Sequence, residues 1–240
     1  MTSTIGIKYG EYAIEDRLTF MLDEGIEFTI YRLSNNKYAY ERYEQDELKL
    51  KKIIAGDELL TIGIFPITPQ NVPNKYANHM MLALSSNIIV SSKSSVECYL
   101  IMPIEIGIAV NNTIIDVYSL GYTKYALYGI PERGIICRYY KTDVYTDIPK
   151  LEPLREAVVR CLLKNYTNDT KTISKIVYPI DGADLYYDNT DAYFDMLEVI
   201  FDTKLNVEIL NVNVRSIEWN ANKTNFGKTY NNSYVMEWGY

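Results

Sequence analysis

Every second residue from 96 to 110, VECYLIMPIEIGIAV, is apolar, while the positions between are mixed. Val96, Cys98, Leu100, Met102, Ile104, Ile106, Ile108 and Val110 share one parity; Glu97, Tyr99, Ile101, Pro103, Glu105, Gly107 and Ala109 share the other. Period two means pleated backbone with one core face. The run is too long for one ordinary strand, so Pro103 is expected to mark the edge, bulge or bend that divides it. Asn111 and Asn112 turn the chain, and residues 113–120 read as the next strand. Residues 122–128 and 135–142 read as two more, joined by the turn GIPERG. Residues 84–145 therefore predict an antiparallel meander, with little room for the crossover helices of a parallel α/β fold.

Upstream, 26–31 and 37–43 flank SNNK as a hairpin, and 59–65 reads as a strand. The mixed-charge segment 44–52 fits a solvated strand edge or a short helical turn. Three prolines in FPITPQNVPNK predict an irregular loop, and 76–84 is a helical turn or a strand. Prolines and charges at 146–153 suggest a boundary. Residues 154–163 carry helical spacing at Leu154, Val158, Cys161 and Leu162. The following polar turn and the strand TISKIVYPI decide for a strand there instead. Residues 193–201 read as a strand. Residues 205–219 change face midway, which needs a bulge or a new strand. The end of the chain predicts a loop and then a packed edge strand. The expected fold is mainly β, with antiparallel sheets in two β-sandwich-like units and few or no long helices. The expected division is an N-terminal β-rich domain at 1–147 and a C-terminal β-sandwich-like domain at 148–240.

Composition removes several functions. The chain has 240 residues and a net charge of −7. A nucleic-acid partner held by a broad basic face is not expected, and KLKK at 49–52 follows Glu44, Asp46 and Glu47. No window approaches a membrane span, and the first residues lack a signal-peptide pattern, so a cytoplasmic protein without a membrane partner is expected. No glycine-rich phosphate loop follows a strand, and no GxSxG elbow occurs. His79 is the one histidine, and neither a nucleophile nor a metal partner can be assigned to it by spacing. Cys98, Cys137 and Cys161 lie far apart in sequence, so they are expected as buried thiols. No metal and no cofactor is expected. Asn-x-Ser/Thr triplets at Asn111, Asn165, Asn168, Asn222 and Asn231 reflect abundant asparagine.

Tyrosine is in excess, at 23 residues against 6 phenylalanines. It fits half-buried strand faces, and it also fits an aromatic binding face. Lys124, Tyr125, Tyr128, Arg133 and Arg138 form the candidate ligand patch, with Tyr140 nearby. Arginine would supply bidentate donors and the tyrosines would close over a ring. Cross-strand ion pairs on a wet face are the plainer reading. No catalytic residue is assigned; for an enzyme the carboxylates would be Glu105 and Asp116, brought together by the turn at 111–112. The leading expectation is a non-catalytic binding or assembly protein, using a tyrosine-rich sheet face toward a protein partner or a second copy. The alternative is a metal-independent enzyme acting on a carbohydrate or other small polar ligand through carboxylates and Arg/Lys.

The segment YTKYALYGIPERGIICRYYKT at 122–142 resembles an archaeal family of uncharacterised proteins, domain of unknown function 432. MPIEIGI at 102–108 and TPQNVPNKYAN at 68–78 are similar to it as well. The resemblance covers most of the chain and implies a prokaryotic, archaeal origin. It supplies no activity and no catalytic residues.

Overall fold

A computed structural model describes residues 3–23, 25–69, 77–111, 113–121, 124–180, 183–202, 207–211 and 221–224. Its regular elements are all strands. In chain order they are β1 (Ser3–Gly6), β2 (Gly10–Ile14), β3 (Arg17–Asp23), β4 (Ile26–Ser34), β5 (Lys37–Glu44), β6 (Glu47–Ala55) and β7 (Leu60–Ile67). Then come β8 (His79–Val90), β9 (Ser95–Pro103), β10 (Glu105–Val110), β11 (Thr113–Tyr118), β12 (Lys124–Tyr128) and β13 (Ile135–Thr142). The rest are β14 (Glu156–Asn165), β15 (Lys171–Pro179), β16 (Leu185–Asp188), β17 (Asp191–Phe201), β18 (Val207–Asn211) and β19 (Asn222–Lys223). Among the described residues no helix is long and apolar enough to cross a membrane. The ambiguous segment at 154–163 is strand β14, and the terminal strand expected near 235–240 lies outside the described residues.

The strands form four sheets. The first is β1-β3-β4-β5-β6, the second β11-β10-β7-β2, and the third β12-β13-β8-β15. The fourth is β19-β16-β17-β14-β9, with β18 added on β17. Most ladders are antiparallel, while β1–β3, β8–β13 and β14–β17 run parallel. The expected meander over 84–145 is therefore not formed: β13 lies parallel to β8, and β9 leaves for the fourth sheet. The alternation seen in sequence cannot report this, because period two sets which face is buried and not which strand lies alongside. Strands from before and after position 147 lie side by side, β8 with β15 and β9 with β14.

The first sheet lies against the second. Phe20, Phe28, Ile30 and Tyr40 face Ile62, Ile64 and Ile108 around a small apolar gap, and the rings of Phe28 and Tyr118 meet edge-on at 5.8 Å. The third and fourth sheets meet through Tyr178, whose ring lies 5.5 Å from that of Phe194 and whose hydroxyl reaches Met102 Sδ at 3.4 Å. The second and fourth sheets touch where Tyr187 meets the rings of Tyr9 and Phe65. No sheet among the described residues closes into a barrel.

Pro103 is where the chain changes sheet. β9 ends there in the fourth sheet, and β10 starts at Glu105 in the second. The expected single core face holds at the start of the run, where Glu97 is exposed and Cys98 buried. It fails in β10, where all six residues are buried. Ile106 and Ile108 share the face opposite Ile64 and Pro66, and Glu105 and Gly107 share the face of Ile67 and Phe65. That second face is covered too, so both parities are dry. This puts a carboxylate, Glu105, inside the protein at 1% exposure.

Candidate functional site

A cleft of about 140 Å³ opens at the bend between β9 and β10. The first and second sheets are built from 3–67 and 105–118, the third and fourth from 79–103 and from residues after 124. The chain thus passes between the two groups of sheets after β7, after β9 and after β11. Pro69, Ile104 and Gly121, one from each passage, all line the cleft. Junctions of this kind are where small-molecule sites most often form.

The charged lining comes from three strands and a loop. Glu105 opens β10. Arg138 lies on β13 at 1% exposure, and its Nε–H donates to the Ala77 carbonyl at 3.1 Å. Arg155 precedes β14 and donates Nη1–H to the Leu120 carbonyl at 3.1 Å, while its own carbonyl accepts from the Ile104 N–H at 3.0 Å. Anchoring one N–H of each guanidinium to main chain fixes the plane in which its other donors lie. Glu156, the first residue of β14, accepts the Tyr140 hydroxyl at 2.7 Å on one oxygen and the Glu152 N–H at 2.9 Å on the other. Burial first, and the Glu156 carboxylate second, push the Tyr140 phenol well above its ordinary value. At neutral pH Tyr140 is therefore a hydrogen-bond donor and not a base.

The candidate patch divides between two faces of the β12–β13 hairpin. Tyr125 is directly opposite Arg138, and the guanidinium carbon lies 5.8 Å from its ring centroid. Tyr140 has the parity of Arg138 and shares its face. Lys124 and Tyr128 have the other parity, opposite Tyr139 and Ile135, and point away. Arg133 is exposed in the turn. His79, at the start of β8, contacts Asn78 Oδ1 through Nδ1 at 2.8 Å.

Glu105 and Asp116 do not meet. Asp116 is paired with Ile108, and Glu105 is three residues from Ile108 in the same strand, so the two carboxylates lie on opposite faces of the sheet. Asp116 looks toward the first sheet and accepts the Tyr40 hydroxyl at 2.7 Å. The turn brings their strands together as expected, but an odd offset in register separates the side chains. Arg155 and Glu156 did not stand out in the sequence. They sit some fifty residues beyond Glu105, at the start of the segment whose pattern wavered between helix and strand, and no local spacing ties them to it.

Among the described residues no group of three or more His, Cys, Asp or Glu side chains is arranged to hold a metal ion. All three cysteines are free and buried, and Cys98 pairs directly with Cys161 across β9 and β14.

The cleft belongs to an all-β protein whose candidate site is assembled from charges on separate sheets. Residues 8–236 match the family described as protein of unknown function (DUF432), and the chain belongs to that family. No curated protein and no solved structure matches the chain significantly.

Proposed function

We propose that this protein binds a small polar molecule in the cleft beside Glu105 and Arg138. The observation that carries the reading is the burial of these two opposite charges in the wall of one open cavity. Taking ions out of water is costly, and a hydrophobic pair of the same volume would serve packing as well or better. A fixed guanidinium and a fixed carboxylate at a cleft give orientation and specificity to a polar guest. In this reading the guest sits in the cleft. The two groups of sheets are read as two β-sandwich-like units, supported by the contacts of Phe28 with Tyr118 and of Tyr178 with Phe194.

A thermal-shift series tests this. Small carboxylates, amines, amino acids and monosaccharides at millimolar concentration are compared on the full chain and on Arg155→Ala. At least one probe is expected to raise the unfolding temperature of the wild type and to lose that effect in the variant. No shift with any probe, or shifts unchanged in Arg155→Ala, overturns the reading.

The second reading, a metal-independent enzyme on a carbohydrate or other polar small molecule, draws support from Tyr140 and Glu156, a hydrogen-bond donor held against a carboxylate at the cleft. Its test is turnover of whichever probe binds, lost in Tyr140→Phe. Assembly through the third sheet draws support from Tyr125, Leu127 and Tyr128, all exposed on its edge strand β12. Sedimentation velocity distinguishes a self-associating chain from a monomer.

A further inference from the structure

Resting on the cleft as a small-molecule site, we propose that its ligand is a small zwitterion. Such a molecule carries a carboxylate and an ammonium a few bonds apart, and an α- or β-amino acid is the simplest example. Three features of the cleft point there.

The first is the pattern of charge. Arg138 and Arg155 line the cleft together with Glu105, Glu156 and, at its exposed rim, Glu152, so the lining offers both signs, two positive and three negative. Arg138 is anchored through Ala77 and Arg155 through Leu120, while Glu156 is held by Tyr140 and by the Glu152 N–H. The groups are set in place by main chain and by one another, so a ligand must fit the pattern and cannot reshape it. A simple anion that takes up an arginine draws that charge away from a carboxylate buried at 1% exposure. A simple amine does the same to Arg138. In a low-dielectric site either imbalance is costly. A dianion such as phosphate meets Glu105, Glu152 and Glu156 as well as the arginines. A zwitterion gives each sign a counter-charge and leaves the balance of the cleft unchanged.

The second is size. The cleft of about 140 Å³ is close to the volume that admits benzene in an engineered cavity, which sets the guest at roughly six to ten heavy atoms. Alanine and β-alanine fall in that range, glycine lies just below it, and a disaccharide or a nucleotide is far above it.

The third is the apolar part of the lining. Pro103 lines the cleft half-buried beside the charges and suits a short aliphatic substituent. A lining of charges alone would select a fully polar guest.

The test is isothermal titration of the full chain at pH 7 with glycine, L-alanine and β-alanine, set against acetate, methylamine, inorganic phosphate and glucose. At least one zwitterion is expected to bind at least about tenfold more tightly than acetate and than methylamine, because each half alone leaves one buried charge uncompensated. Arg155→Met and Glu156→Gln, at half-buried positions, are each expected to weaken it about tenfold or more with the circular dichroism spectrum unchanged. Acetate, phosphate or glucose binding as tightly as every zwitterion overturns the ligand class and leaves the cleft as the site. Zwitterion binding that persists undiminished in both variants places it elsewhere, and both proposals fall. No binding of any zwitterion also overturns the inference. Glu105→Gln, isosteric at the buried position, gives a further measurement in which a folded variant that keeps full affinity counts against it.

Discussion

Tyr40 on β5 donates its hydroxyl to Asp116 Oδ2 on β11 at 2.7 Å, joining two sheets that share no strand. Arg42 Nε stands 3.5 Å from the same carboxylate oxygen, and its guanidinium carbon lies 5.1 Å from the centroid of the Tyr118 ring. Burial, the largest influence, raises the Asp116 carboxyl above its ordinary value, while Tyr40 and Arg42 pull it back down. Tyr40→Phe removes the nearest donor to a buried carboxylate and is expected to cost about 1.5–3 kcal/mol in urea unfolding near neutral pH. A carboxyl raised in the folded state contributes stability that is lost as pH rises through its folded value. Removing the donor raises that value further, so the loss is expected to be larger at pH 7 than at pH 4. Equal losses at both would show that Tyr40 serves Asp116 only by packing.

Asp195 gives a cleaner pH test. It lies on β17 almost fully buried, and burial raises its carboxyl. Its Oδ2 accepts the Asp184 N–H at 2.8 Å. Asp195→Asn keeps an acceptor and discards the charge. The variant is expected to gain on the wild type as pH rises from about 4 to 7, since only the wild type must ionise a buried group in that window. Unfolding temperatures that run parallel over this range would contradict it.

Gly63 on β7 owes its identity to a neighbour two residues on. A Cβ at this position would fall inside the Phe65 ring. That ring is held against Tyr187 with centroids 5.6 Å apart, so it cannot swing away freely. Gly63→Ala is expected to destabilise by about 1–3 kcal/mol through overpacking. Gly63→Ala combined with Phe65→Leu should cost less than the sum of the two single changes, measured by a double-mutant cycle.

Asn165 closes β14 with its amide buried. Nδ2 donates to the carbonyls of Val90, Ser91 and Asp169, and Oδ1 accepts from the N–H and hydroxyl of Thr167. Asn165→Ala strands several main-chain groups and is expected to cost on the order of 3 kcal/mol in denaturant unfolding. The first triplet residue here is a structural tie and presents no amide for a glycan.

Strand positions were legible where side chains alternate between a wet and a dry side, as Glu97 and Cys98 do. The sheets themselves were not. β9 finds β14 and β8 finds β15 across some sixty to ninety residues, and nothing in either segment names its partner. β10 hid its role for a different reason: a strand covered on both faces keeps its alternation in sequence, so Glu105 reads as a solvated residue. Of the candidate residues, Glu105 and Arg138 do share a cavity, and Tyr125 packs on Arg138. Lys124 and Tyr128 fell on the far side because a hairpin brings neighbours together on two faces at once, and parity separates them. Excess tyrosine was visible but its use was not. Tyr38, Tyr40 and Tyr178 are core residues, and the hydroxyl of each serves as an internal tie.

The bend at Pro103 has a consequence for how the protein comes into being. During synthesis β8 and β9 leave the ribosome before β14 and β15 have been made, and β10 follows while one of its flanks still has no cover. For the time needed to add those later residues, the nascent chain carries oily strand edges that nothing yet shields. The hairpins β3 to β6 can close as they emerge, so it is this middle stretch, waiting for partners not yet made, that most needs protection from its neighbours in a crowded polysome.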